Sequence, residues 1–201
     1  MTPQVSSLPL LGQMAGFRRF TVGEYHRLIQ GGYLTEDDDL ELIEGYLVHK
    51  MARNVPHDGA MDLVREAITP RLPKGWMLRC QQAVTFAESE PEPDYALVRG
   101  NGRTYATRHP HAPDIGMLIE VSDSSLDGDR ADKCRIYSRA NIPSYWIVNL
   151  VDRQVEVYSQ PSGPTAAPGY ADRQDYRSGD AAQLVLDGSV IGTIAVDDLL
   201  P

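Results

Sequence analysis

The stretch Ile115-Gly116-Met117-Leu118-Ile119-Glu120-Val121 is apolar except for one carboxylate. It is short enough to be a buried strand and falls far below the roughly 18 apolar residues of a membrane span. A carboxylate in such a strand is costly unless it is paired, hydrogen-bonded or bound to a metal, so Glu120 needs a partner. Two candidates stand nearby in sequence. Asp94 follows the turn-like run Glu90-Pro91-Glu92-Pro93 and opens a strand over 94–98. Lys133 belongs to a helix over 129–140 that places Lys133 and Tyr137 on one face, four residues apart. Two converging carboxylates beside an ammonium suit a hard divalent cation that activates water next to a phosphodiester. Simpler roles stay open: Asp94 can cap a turn, and Glu120 with Lys133 can form a buried structural pair.

Outward from this centre, Thr21 and Glu24 form a capping-box pattern that opens a helix running to about Gln30, ended by Gly31-Gly32. Leu40 to Val48 reads as two short strands turning near Glu44-Gly45. His57-Asp58 precedes a helix with Met61, Val64, Ile68 and Leu72 at helical spacing, closed by Pro73-Lys74-Gly75. Strands are expected over 76–80, 83–86, 145–150 and 154–159, with a long loop over 99–113 and a terminal hairpin around Asp187-Gly188. This order describes an α+β fold, a mixed β-sheet flanked by helices, in which the segment from Ile115 to Leu150 can form a parallel crossover.

With 201 residues, 42% of them hydrophobic, the chain can bury a core of its own, and length favours one domain over 17–201 preceded by a loose Ser-, Pro- and Gly-rich arm over 1–16. No apolar run reaches membrane-spanning length, and the N-terminus lacks a charged region followed by an apolar one, so the expectation is a soluble, cytoplasmic protein with no membrane partner. Cys80 and Cys134 stand apart, which argues against a disulfide framework or structural zinc and for two small buried side chains.

The net charge of −9 counts against a surface that binds nucleic acid all over. The charge is uneven, however. Glu36, Asp37, Asp38, Asp39, Glu41 and Glu44 cluster without a base, whereas Arg99, Arg103 and Arg108 share a loop without an acid. Those three arginines are therefore the expected nucleic-acid contacts beside an acidic pocket, although solvated acidic turns beside an ordinary loop would give the same pattern.

Several separate segments, in order, resemble one family: Phe20-Thr21-Val22-Gly23-Glu24-Tyr25, Leu40-Glu41-Leu42-Ile43-Glu44-Gly45, Glu92-Pro93-Asp94, Leu118-Ile119-Glu120-Val121-Ser122, Lys133-Cys134-Arg135-Ile136-Tyr137 and Ile142-Pro143-Ser144-Tyr145-Trp146-Ile147-Val148. Over roughly residues 20 to 200 the chain is similar to the Uma-two family, a branch of the PD-(D/E)XK nuclease superfamily. The resemblance implies a restriction-endonuclease-like sheet and a metal-dependent endonuclease acting on DNA. It assigns Asp94, Glu120 and the Val121 carbonyl to Mg2+ or Mn2+, Lys133 to the attacking water, Glu41 to the same pocket with Glu44 as the competing choice, and His57 to metal or phosphate. The superfamily pattern places Lys two residues after the second acid; here that position is Ser122, and the Lys comes thirteen residues after Glu120 (133 − 120). An enzyme cutting both strands suits a homodimer. The competing reading is a catalytically silent binding or assembly module that keeps the fold, supported by the acidic net charge and by Ser122.

Overall fold

The computed structural model describes residues 17–201; the arm expected over 1–16 lies outside them. The chain opens with α1 (Val22–Gln30), where Thr21 accepts from the Glu24 N–H and Glu24 accepts from the Thr21 N–H, the reciprocal capping box expected from the sequence. A hairpin follows, β1 (Leu40–Ile43) and β2 (Tyr46–His49). Its turn residues Glu44 (φ 48°) and Gly45 (φ 83°) are both left-handed, as a two-residue turn between twisted strands requires. Next comes α2 (Val55–Ile68), which begins earlier than expected. Asn54 caps it by accepting from the His57 N–H, and Pro56 occupies its first turn, so His57 lies inside the helix.

The strands β3 (Trp76–Cys80), β4 (Tyr95–Arg99) and β5 (Ile115–Ser122) pair antiparallel. A helical run then carries the chain across: α3 (Leu126–Gly128), a wide π turn (Asp129–Lys133) and α4 (Cys134–Arg139). It delivers β6 (Ser144–Asn149) parallel to β5, the expected crossover. Antiparallel β7 (Gln154–Pro161) and β8 (Tyr170–Arg177) complete a six-stranded mixed sheet in the order β3-β4-β5-β6-β7-β8. The hairpin β9 (Ala181–Leu186) and β10 (Ser189–Ala195) turns at Asp187-Gly188, again with two positive φ values.

One strand expected from the sequence is absent, and one that the sequence did not announce is present. Residues 83–86 form no strand: only Thr85 makes a single bridge, to His111. The hydrogen bonds of this segment go to the Pro91, Pro110 and Ser89 carbonyls, so it is anchored as a loop instead of along a ladder. The polar run 170–177 is a full strand despite exposure on both faces, because one edge of it pairs along all of β7.

Alternation along β5 builds two cores. Met117, Ile119 and Val121 join α2 residues Met61, Val64 and Ile68 and hairpin residues Leu184 and Leu186 on one face. Leu118 joins Ile43, Ile136 and Tyr137 on the other. Gly116 is where the sheet is tightest: a Cβ there would stand 2.6 Å from the Trp76 ring and 2.7 Å from Leu186 Cδ2. On this account Gly116→Val overpacks the core by about 1–3 kcal/mol and lowers the melting midpoint by several degrees, about 2–4 °C per kcal/mol for a chain of this size. An unchanged midpoint in calorimetry would contradict the packing argument.

The fold also contains a closed charge centre. Glu156 on β7 is 0% exposed, and it accepts from Arg130, Asn149, Gln154 and Tyr158 with Arg173 at 3.2 Å. Burial alone would raise its pKa; these donors overcome burial and hold it down to about 2 from an ordinary 4.5. A depressed carboxylate pKa stabilises the fold above the unfolded value and loses that contribution as pH falls through the folded one. Urea titrations of the parent protein should show stability falling between pH 4.5 and about 2, and Glu156→Gln should flatten that loss.

Candidate active site

The β4–β5 register explains how two acids meet. Tyr95 pairs with Ile119, so one step outward brings Asp94 beside Glu120. The backbones then lock the two together: the Asp94 N–H donates to Glu120 Oε2 (3.1 Å), and the Val121 N–H donates to Asp94 Oδ2 (2.8 Å). Lys133 arrives from the π turn. Its Nζ lies 2.9 Å from Glu41 Oε2 and 3.7 Å from Glu120 Oε1. Tyr137, one helical turn on, donates to Glu120 Oε1 at 2.6 Å, so the face expected from the spacing of Lys133 and Tyr137 does meet the strand acid.

Glu41 enters from β1, where it also accepts from the Glu92 N–H at 3.0 Å. Glu44 lies elsewhere, clamped by Arg135 and Arg139 at 2.6 and 2.7 Å. The choice between them falls to Glu41. His57 reaches the pocket from α2, with Nε2 3.2 Å from Asp94 Oδ2, and that hydrogen bond raises the imidazole pKa.

The basic loop is placed differently. Arg99 ends β4, four residues beyond Tyr95, and so stands roughly 13–16 Å along the strand from the acids. It pairs with Asp187 and lies over the Trp76 ring. Arg108 is held by Asp114 at 2.6 Å, and Arg103 is exposed on the same loop. The structure does not bring these arginines to the pocket.

Four further residues complete the site. Gln81, in a left-handed conformation (φ 48°) just after β3, donates from Nε2 to Asp94 Oδ1 at 3.2 Å. Asp129 is buried and accepts from Ser122 and Ser125, each at 2.7 Å, so Ser122 occupies the usual lysine position with a hydroxyl turned to an acid. Its position four residues before Lys133 was the one signal available in sequence. Gln81 gave none.

Electrostatics follow from this geometry. Burial works against the charge on Lys133, but Glu41 and Glu120 overcome it and raise its pKa. Burial pushes Glu120 well up, aided by Asp129 and Asp94, and Lys133 only partly offsets this. Burial likewise raises Asp129 to about 6. The pocket therefore holds more acid than its one ammonium neutralises. Among the described residues no three His, Cys, Asp or Glu side chains converge as a ready cage for an ion. Asp94 and Glu120 nonetheless keep unused lone pairs, and an all-oxygen set with excess negative charge fits a hard divalent cation.

The model of the Uma2 family, described as "Putative restriction endonuclease", matches residues 22–189. The chain belongs to the Uma2 family. Uma2 membership agrees with the fold: a crystal structure of a "putative nuclease belonging to DUF820" from Anabaena variabilis ATCC 29413 matches with a TM-score of 0.63 at 15% identity, over 90% of this chain and 97% of that one. At that identity the likeness concerns architecture, and the mixed sheet flanked by helices is what the two share. No curated protein sequence matches this Uma2 chain. Among the described residues no helix is long and apolar enough to cross a membrane.

Removing one partner of a buried pair leaves an uncompensated charge, at about 3–5 kcal/mol. Lys133→Met should lose stability of this order in urea denaturation. Adding Glu120→Gln should recover part of it. Independent, additive effects of the two substitutions would show that Lys133 and Glu120 do not interact.

Proposed function

We propose that the protein is a divalent-metal-dependent endonuclease that hydrolyses DNA phosphodiester bonds. The observation that carries this reading is the Lys133 ammonium between Glu41 and Glu120, with Asp94 tied to Glu120 through reciprocal backbone bonds. Asp94, Glu120 and the Val121 carbonyl would hold Mg2+ or Mn2+. Such an ion supplies Lewis-acid polarisation of a phosphoryl oxygen and makes water more acidic.

The remaining work belongs to the chain. An ammonium held between two carboxylates keeps its proton, so Lys133 acts electrostatically: it orients water and stabilises charge as the new P–O bond forms and the ester P–O bond breaks. Glu41 fixes the Lys133 headgroup from the β1 side. Tyr137 fixes Glu120, and His57 and Gln81 fix Asp94. A homodimer would present two such sites to the two strands of a duplex.

Manganese or magnesium should raise the thermal midpoint, by the equivalent of about 2.7 kcal/mol at a hundredfold excess over the dissociation constant. Glu120→Gln should abolish that response while retaining the side chain's shape. With supercoiled plasmid and manganese at low salt, Lys133→Met, checked for native circular dichroism, should nick about 10²- to 10³-fold more slowly than the parent. Equal nicking would remove Lys133 from catalysis. No cleavage of any DNA by the parent protein would leave the silent scaffold as the better account.

A further inference from the structure

Among the described residues the first strand of the sheet, β3, pairs on one side only. Between its free edge and the C-terminal half of α2 runs an open groove of about 460 Å³, lined by Arg65, Thr69, Lys74, Trp76, Cys80 and Tyr95 among others. One end of it, at Cys80 and Tyr95, adjoins Asp94, since Cys80 pairs with Tyr95 in the strand register. The groove therefore leads to the acid pair.

Its charge is opposite to that of the molecule. The charged side chains that line it, Arg65 and Lys74, are both basic, in a chain of net charge −9. Arg53 extends the basic rim past the pocket: it donates to Gln81 Oε1 at 2.5 Å, and Gln81 in turn donates to Asp94. Arg53 and Arg65 both act electrostatically on Cys80, as Asp94 does, which places the two guanidiniums around the junction of groove and pocket. Arg53, Arg65 and Lys74 are all exposed. The partner of Arg65 is the exposed Asp62, at i−3, a surface pair worth only about 0.2–1 kcal/mol and readily exchanged for a phosphate. Arg108, by contrast, is held by both oxygens of the less exposed Asp114. Cys80, expected to be buried, is exposed on this surface.

We infer that the groove along β3 is the track for the phosphodiester backbone of the nucleic acid, with Lys74, Arg65 and Arg53 as successive phosphate contacts leading to Asp94. This inference rests on the nuclease reading for its substrate and adds to it the face on which that substrate lies. The unpaired β3 edge contributes free backbone N–H groups, and Lys and Arg neutralise phosphates with release of counterions.

The test is binding of a short labelled DNA duplex in EDTA, followed by anisotropy over a range of salt concentrations. The parent protein should show a steep loss of affinity with salt. The triple variant Arg53→Ala/Arg65→Ala/Lys74→Ala should show a slope shallower by about 2 to 3, near one per contact, with an unchanged melting midpoint. Arg103→Ala should keep the parent slope. Iodoacetamide gives a second reading: bound duplex should slow alkylation of Cys80 and leave the half-buried Cys134 unaffected. A triple variant with the parent slope, Cys80 alkylated equally with and without duplex, or a parent protein that does not bind duplex would each overturn the track. Plasmid nicking by the parent protein separates the two proposals: nicking with an unchanged slope in the triple variant refutes the groove and leaves the nuclease standing, whereas groove binding without nicking refutes the nuclease and leaves the track.

Discussion

The ammonium of Lys133 is the point at which three separate elements meet. It brings β1, the strand β5 and the π turn to one point through Glu41 and Glu120. None of the three charges is tolerable alone in that position. A buried Lys favours its neutral form, and a buried Glu does the same from the other side. Placed together, the Lys remains charged and the two acids gain a common partner. This helps to hold the β1–β2 hairpin, which belongs to a separate two-stranded sheet, against the main one. Glu41 to Lys133 and Glu44 to Arg135 and Arg139 dock it onto one helical run, and backbone bonds from Glu90 to Leu42 and from Gly45 to Glu88 fix it to the segment before β4.

Sheet topology supplies the other half of the arrangement. An antiparallel β4–β5 pair sets the start of one strand beside the end of the other, and a crossover helix leaving the end of β5 must begin at that same edge. Asp94, Glu120 and the first turns of the helical run are thus neighbours by topology. The π turn makes a specific difference here. It spans Asp129–Lys133, so the wider coil lies in the segment that carries both the buried acid and the ammonium. Asp129 is held back by Ser122 and Ser125 while Lys133 reaches forward to Glu41.

What could be read in the sequence was local and periodic. The capping box at Thr21, the left-handed Glu44-Gly45 and Asp187-Gly188 turns, the apolar β5 run and the Lys133–Tyr137 spacing each depend on residues within a few positions of one another. Contacts set by distant parts of the chain were not legible: the Glu41–Lys133 pair spans 92 residues, and Gln81 contacts Asp94 only because β3 and β4 pair. The placement of Glu41 came from the family resemblance, not from residue patterning. Strand β8 escaped notice for a different reason. Its residues are polar on both faces, so no period of two marks it, and its existence depends on the edge that β7 offers. One-sided composition also says nothing about where a loop's neighbours are: Asp187, distant in sequence, and Asp114, just past the acid-free run, pair with Arg99 and Arg108.

Glu156 and Glu120 make the final distinction. Both are buried carboxylates in the same sheet, at 0% and 5% exposure. Glu156 is met by two arginines, two amides and a phenol, and its pKa falls to about 2. Glu120 accepts from one phenol and one backbone N–H, shares its ammonium with Glu41, and has Asp94 and Asp129 for neighbours, so its pKa rises. Desolvation weighs more heavily on Glu120 and its partners neutralise it less, so both effects drive the two shifts apart. A structural carboxylate is one whose charge the fold has fully met. At Glu120 the fold stops short of that, at the corner where a second acid and a buried lysine meet, and a divalent cation would offset the excess negative charge.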